Sequence, residues 1–163
     1  MDTSNRTQGL VLVVDDEPDV LATLEEMLQG FLVYKAQDFE TAKQYLMAFT
    51  YDAVILDIMG VNGFELLRIS VLRGFPTIMF TAHALTPEAI KTSIKLGAVA
   101  YLPKTEISNL PLLLKEVINN PKAPLWKKVF ERFLKAIDKD YGDDWREKDV
   151  FLKEFQARLK EGG

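Results

Sequence analysis

Four short polar stretches carry the chemistry open to this chain: Asp15-Asp16, Asp57, Thr81 and Lys104. Each follows an apolar run, namely Leu10-Val11-Leu12-Val13-Val14, Ala53-Val54-Ile55-Leu56, Ile78-Met79-Phe80 and Ala98 to Leu102. Such runs, rich in β-branched residues, read as strands buried on both faces. A charge then belongs at the strand's C-terminal end and not in its interior, and in open α/β sheets that end is where ligands bind. Three carboxylates brought together repel one another and raise each other's pKa. A hard divalent cation, most simply Mg2+, relieves the repulsion, because oxygen ligands suit it. Its open positions would accept phosphoryl oxygens, to which Lys104 adds a point charge and Thr81 a hydroxyl donor. A site of this kind stabilises phosphoryl transfer onto an Asp carboxylate, mainly by positioning and electrostatics.

The elements between these stretches decide whether they meet. Pro18 sits where a first helical turn tolerates it, and Val20, Leu21, Leu24, Met27 and Leu28 follow at helical spacing up to Gly30. Phe31 to Ala36 is a short strand. Asp38 can cap a helix carrying Phe39, Ala42, Tyr45, Leu46 and Phe49. A third helix is expected from about Asn62 to Arg73, with Phe64, Leu67 and Val71 on its apolar side. Thr86-Pro87-Glu88 is an N-cap, N1 proline and acidic N2, and Gly97 ends the helix that it starts. A fifth helix covers roughly Ser108 to Asn119, with Leu112, Leu113 and Val117 buried. Five strands alternating with five helices imply a parallel sheet covered on both faces. The expected fold is a doubly wound α/β sheet of order 2-1-3-4-5, flavodoxin-like, with its switch point between strands 1 and 3. That order sets Asp15, Asp16 and Asp57 side by side, since neighbouring strands lie about 4.8 Å apart.

Composition removes several classes of function. The 163 residues include no cysteine and a single histidine, His83, which excludes disulfides, thiol chemistry and multi-histidine metal centres. The N-terminus is polar and no apolar run approaches a membrane span, so a cytoplasmic protein is expected. Residues 1–120 hold 9 basic and 15 acidic side chains, a net of −6; residues 121–163 hold 11 and 9, a net of +2. The chain therefore divides into residues 1–120, which carry the site, and residues 121–163, an extension with interspersed charges.

The motifs Val13-Val14-Asp15-Asp16-Glu17-Pro18, Ile55-Leu56-Asp57-Ile58-Met59, Phe80-Thr81-Ala82 and Tyr101-Leu102-Pro103-Lys104 fall in order on successive strand ends. Over roughly residues 8–120 the chain resembles the CheY-like receiver domain of two-component response regulators, of the stand-alone type with a short helical extension. The resemblance implies that Asp57 accepts a phosphoryl group from a sensor histidine kinase or a phosphotransfer protein. It implies Asp16 as the direct Mg2+ ligand, Asp15 acting through metal-bound water, the Met59 backbone carbonyl completing the metal shell, and Lys104 paired with Asp57. Thr81 would move to the phosphoryl group and Tyr101 would turn inward, altering the face made by helix 4, strand 5 and helix 5. Met59 and His83 occupy positions that tune hydrolysis in the family. Output would pass to a downstream protein, with slow self-dephosphorylation and no enzymatic turnover. Two departures stand out: the Gly60-Val61-Asn62-Gly63 loop is about two residues short and lacks a proline, and Thr105 follows Lys104 where the family has proline after a cis bond.

The extension reads as a helical hairpin, with helices over Leu125 to about Asp140 and Trp145 to Lys160, the second carrying Leu152, Phe155 and Leu159. It holds seven of the chain's 17 aromatic residues. Either they pack the hairpin on itself or on the receiver, or they form a dimerisation or partner surface. Helices this long fit a helix-turn-helix poorly, so no DNA binding is expected. Other readings of residues 1–120 are a receiver-like interaction module that is not phosphorylated, a flavin-type cofactor binder and a haloacid-dehalogenase-type phosphatase. The acidic turn after the first strand speaks against the cofactor binder, and Asp57-Ile58-Met59 lacks the second Asp that the phosphatase needs.

Overall fold

The computed structural model describes residues 7–82, 86–121 and 149–161. Five parallel strands form one sheet: β1 (Leu10–Val14), β2 (Leu32–Ala36), β3 (Ala53–Leu56), β4 (Thr77–Thr81) and β5 (Ala100–Pro103). Their spatial order is β2-β1-β3-β4-β5, as the alternation of elements predicts. The crossover helices are α1 (Pro18–Met27), α2 (Phe39–Ala48), α3 (Gly63–Leu72), α4 (Pro87–Leu96) and α5 (Leu110–Asn119), and α6 (Val150–Glu161) lies in the extension. Among the described residues no helix is long and apolar enough to cross a membrane.

The sheet separates two cores. Val11, Val13, Ile55, Ile78 and Phe80 face α1 and α5, whereas Leu12, Val14, Val54, Leu56 and Met79 face α2, α3 and α4. Alternation along each strand sends successive side chains to opposite faces, and both faces are apolar because both are covered. The helices begin where the sequence marks them. Asp38 accepts from the Thr41 backbone N–H at 2.8 Å, and Thr86 Oγ1 accepts from the Ala89 N–H at 3.0 Å. Gly97, at φ +98°, closes α4 in the left-handed region.

Several expectations need correction. Leu112 is exposed, while Leu110, Leu113, Leu114 and Val117 form the buried stripe of α5; at 100° per residue Leu112 falls on the opposite side. The stretch before α5 is a separate 3-10 helix, Lys104–Asn109, so α5 starts two residues later than its apolar spacing suggests. On α3, Leu66 and Ser70 join Leu67 inside, while Phe64 and Val71 are half-buried. In the extension, α6 begins at Val150, where Asp149 accepts from the Leu152 N–H at 3.1 Å; the expected start near Trp145 lies outside the described residues. The expected helix over 125–140 and the turn at Tyr141-Gly142-Asp143-Asp144 lie outside the described residues.

The one described helix of the extension packs on the receiver-like part. Leu152 is buried in the cluster that contains Ile90, Ala98 and Tyr101, and Phe151, Phe155 and Leu159 lie against it. Asp149 pairs with Lys91 of α4 at 3.1 Å, and Lys95 Nζ stands 4.8 Å above the Phe151 ring.

A buried hydroxyl pair ties α3 to β4. Ser70 Oγ and Thr77 Oγ1 lie 2.7 Å apart, and Thr77 Oγ1 also donates to the Phe75 carbonyl at 2.9 Å. Geometry thus assigns the Thr77 proton to Phe75, so Ser70 donates to Thr77. Thr77→Val keeps the shape but leaves the Ser70 hydroxyl and the Phe75 carbonyl short of a partner. It should destabilise the fold by about 1–3 kcal/mol in urea denaturation, and Ser70→Ala should cost less.

Candidate functional site

Parallel register assembles the site. Val14 pairs with Leu56, so the residues that follow, Asp15 and Asp57, leave adjacent strands at the same level. The Asp57 N–H donates to the Val14 carbonyl at 3.0 Å, and the Asp15 N–H donates to the Ala36 carbonyl at 3.1 Å. On the other side of β3, Thr81 pairs with Pro103, and Lys104 follows at once. All four predicted strand ends therefore reach one edge, at the point where the β1 and β3 connections diverge to opposite faces.

Carboxylate oxygens of Asp15, Asp16 and Asp57 lie within 4.8 Å of one another. Asp15 and Asp57 are buried, and Asp16 is exposed. Lys104 Nζ reaches across this set: 2.6 Å to Asp15 Oδ2, 3.1 Å to Asp57 Oδ2 and 3.8 Å to Glu17 Oε2. The remaining oxygens are held by backbone. The Glu17 N–H donates to Asp15 Oδ1 at 2.9 Å, and the Ile58 N–H donates to Asp57 Oδ1 at 2.8 Å. Burial pushes the Asp15 carboxyl above its ordinary value, against the Lys104 and Glu17 bonds and with help from the Asp57 charge. Burial also works to depress the Lys104 ammonium, but its bonds to Asp15 and Asp57 outweigh that and hold it above its ordinary value. The buried acids are short of positive charge even with Lys104 in place.

The short loop after Asp57 closes over this set by two glycines and one asparagine. Gly60 has φ +82°, and a Cβ there would overlap the Asp16 carboxylate. Asn62 holds the left-handed region at φ +53°, and the Gly63 N–H returns to the Ile58 carbonyl at 2.9 Å. A Cβ on Gly63 would collide with the Asp57 carbonyl oxygen. Met59 lies on this loop with an exposed side chain. No peptide bond among the described residues is cis; the Lys104–Thr105 bond is trans and opens the 3-10 helix.

Thr81 is buried at the end of β4. Tyr101 is fully buried, in the cluster that also holds Ile90, Ala98 and Leu152. Burial first, and the Asp57 charge second, push its hydroxyl above the ordinary phenol value. His83 lies outside the described residues.

The sequence pattern of the response regulator receiver domain matches residues 11–115. The chain belongs to that family. It is 33% identical over 135 residues to the two-component response regulator ARR18 of Arabidopsis thaliana, covering 79% of this chain and 19% of that protein. It is 32% identical over 121 residues to the response regulator MprA of Mycolicibacterium vanbaalenii, covering 71% of this chain and 49% of that one. A solved receiver domain protein (CheY-like) from Methanospirillum hungatei superposes with a TM-score of 0.58 at 26% identity, over 66% of this chain and 94% of that one. The chain thus spans half or less of these two curated relatives.

Three further residues contribute to the site: Glu17, Gly60 and Gly63. Glu17 stands in the same acidic run as Asp15 and Asp16, yet only its distance to Lys104 gives it a place. Gly60 and Gly63 read as loop punctuation; their closeness to Asp16 and Asp57 is what makes them part of the site. Gly63→Ala must push α3 away from β3. It should lower the thermal midpoint by several degrees, in line with roughly 1–3 kcal/mol for overpacking.

Lys104 gives a pH signature with a definite sign. Its folded pKa lies above the unfolded value of 10.5, so its contribution is fully present below that pH and is lost as pH rises through the folded value. Tyr51 and Tyr101 are shifted upward as well and add a limb of the same sign. The difference between wild type and Lys104→Met therefore isolates the lysine. The variant should be less stable at neutral pH by on the order of 3 kcal/mol, with the gap narrowing above the unfolded lysine value.

Proposed function

We propose that this receiver accepts a phosphoryl group on Asp57 from a phosphohistidine of a sensor kinase or phosphotransfer protein and signals by protein–protein contact. The observation that carries the reading is the Lys104 ammonium set between two buried carboxylates, with a third beside them. An Asp57 carboxylate oxygen attacks phosphorus, the nitrogen–phosphorus bond of the donor breaks, and the imidazole leaves with the bonding pair and takes up a proton. The product is an aspartyl phosphate, which water later cleaves back to the carboxylate and phosphate.

The donor set fits Mg2+: three carboxylates, no nitrogen or sulfur ligand among them, on a buried edge short of positive charge. Asp16 and Asp57 would hold the ion directly, with the Met59 carbonyl, and Asp15 through water. When bound, the ion neutralises phosphoryl oxygens as negative charge gathers on the reacting centre. Lys104 supplies a further cation from the chain itself. Its bond to Asp57 Oδ2 keeps that carboxylate aimed while the Ile58 N–H fixes the other oxygen. Thr81, buried at the adjacent strand end, would turn its hydroxyl to a phosphoryl oxygen. Tyr101 stands between the site and the α4 side of the core, so a change of charge at Asp57 acts on a residue packed in that core. The chemistry is stoichiometric acceptance followed by slow hydrolysis, without turnover of a separate substrate.

Incubation with acetyl phosphate and Mg2+, followed by intact-mass measurement, should give one phosphoryl adduct that needs the metal. Asp57→Ala should give none. Lys104→Met should slow its appearance on the order of 10²-fold, the size expected for a lost charge-stabilising donor. An unmodified wild type that also resists a purified phospho-kinase would leave a receiver-fold interaction module as the reading.

A further inference from the structure

The contact between α6 and α4 has the chemistry of a ligand helix on its receptor. Asp149 caps α6 and places its carboxylate on Lys91, which is itself flanked by Glu88 at 3.2 Å. One turn on, Lys95 lies over Phe151, whose ring stacks with Phe155 at 6.3 Å. Among the described α6 side chains, Leu152 alone is fully taken into the receiver core; Phe151, Phe155 and Leu159 are half-buried, and Lys153, Glu154 and Arg158 are turned to solvent. Among the described residues the attachment consists of buried Leu152, half-buried Phe151, Phe155 and Leu159 against the same cluster, the Asp149–Lys91 pair and the Lys95–Phe151 contact. The 30 residues between α5 and α6 tether it, and tethering lets a contact too weak to last between separate chains persist within one.

We propose that the α4 face is a receptor for an amphipathic helix, that α6 occupies it as an internal ligand, and that a partner helix of matching chemistry binds by displacing α6. The matching helix has an acidic N-cap, aromatic residues two and six positions after it, and leucine three positions after it. Its cap answers Lys91, its first aromatic answers Lys95, and its leucine fills the place of Leu152. Apolar anchors at this spacing with a charged flank are how helices seat in grooves. The proposal stands apart from phosphorylation: it needs only the folded receiver and α6.

The test is a fluorescein-labelled peptide of residues 149–161, titrated by anisotropy against the full-length chain. Wild type, its face occupied, should bind the peptide weakly. Leu152→Asp should free the face and bind it at least tenfold more tightly. Adding Lys91→Glu to Leu152→Asp should abolish the gain, and a peptide with Leu152→Asp should not bind. Circular dichroism melts check that each variant keeps the receiver fold. Asp149→Lys, which leaves the apolar packing in place, should move affinity in the same direction by a smaller factor. Equal binding by wild type and both single variants, or binding indifferent to Lys91→Glu, would overturn the proposal. A wild-type chain that elutes as a dimer while Leu152→Asp elutes as a monomer would also overturn it, because α6 would then be a dimer element and not an internal ligand.

Discussion

One ammonium group organises the functional edge of this protein. Lys104 sits 2.6 Å from Asp15 and 3.1 Å from Asp57, two carboxylates that the sheet buries at adjacent strand ends. Burying like charges together is costly, and a single lysine does not cancel two acids. The balance left over is an excess of negative charge at the edge, and Asp16, exposed beside the pair, adds to it.

The rest of the fold serves that arrangement. Pairing of Val14 with Leu56 decides that Asp15 and Asp57 emerge level with one another, and a slip of one residue would turn one of them into the apolar core. The strand order puts the β1 and β3 connections on opposite faces, which opens the crevice the carboxylates line. The tight loop through Gly60, Asn62 and Gly63 then brings α3 against the Asp57 backbone. At Gly63 this contact is with the Asp57 carbonyl oxygen, which a Cβ would overlap.

Much of this was legible in the residues alone. Continuous apolar runs ending in Asp, Thr or Lys identify buried parallel strands, and alternation with amphipathic segments leaves few topologies. Local pattern fell short where a decision depended on distance across the fold. Leu112 looks like its leucine neighbours in sequence but lies on the other side of the α5 axis. The start of α6 follows the Asp149 side chain, which caps a turn and meets Lys91, and neither role shows in hydrophobic spacing. The loop after Asp57, short against the family pattern, closes through its left-handed residues with the three carboxylates within 4.8 Å of one another. That α6 chooses α4 as its partner could not be read from an amphipathic pattern, which specifies a face without naming what covers it.

In the proposed function, Lys104 is a counter-ion that Asp15 and Asp57 hold until a phosphoryl group takes it. A crystal structure with Mg2+ and beryllofluoride would show the exchange. Beryllium bonded to an Asp57 carboxylate oxygen, Mg2+ against Asp16 and Asp57, and Lys104 Nζ drawn off Asp15 onto a fluorine are expected. An unmodified Asp57 with Lys104 still spanning both carboxylates would contradict it.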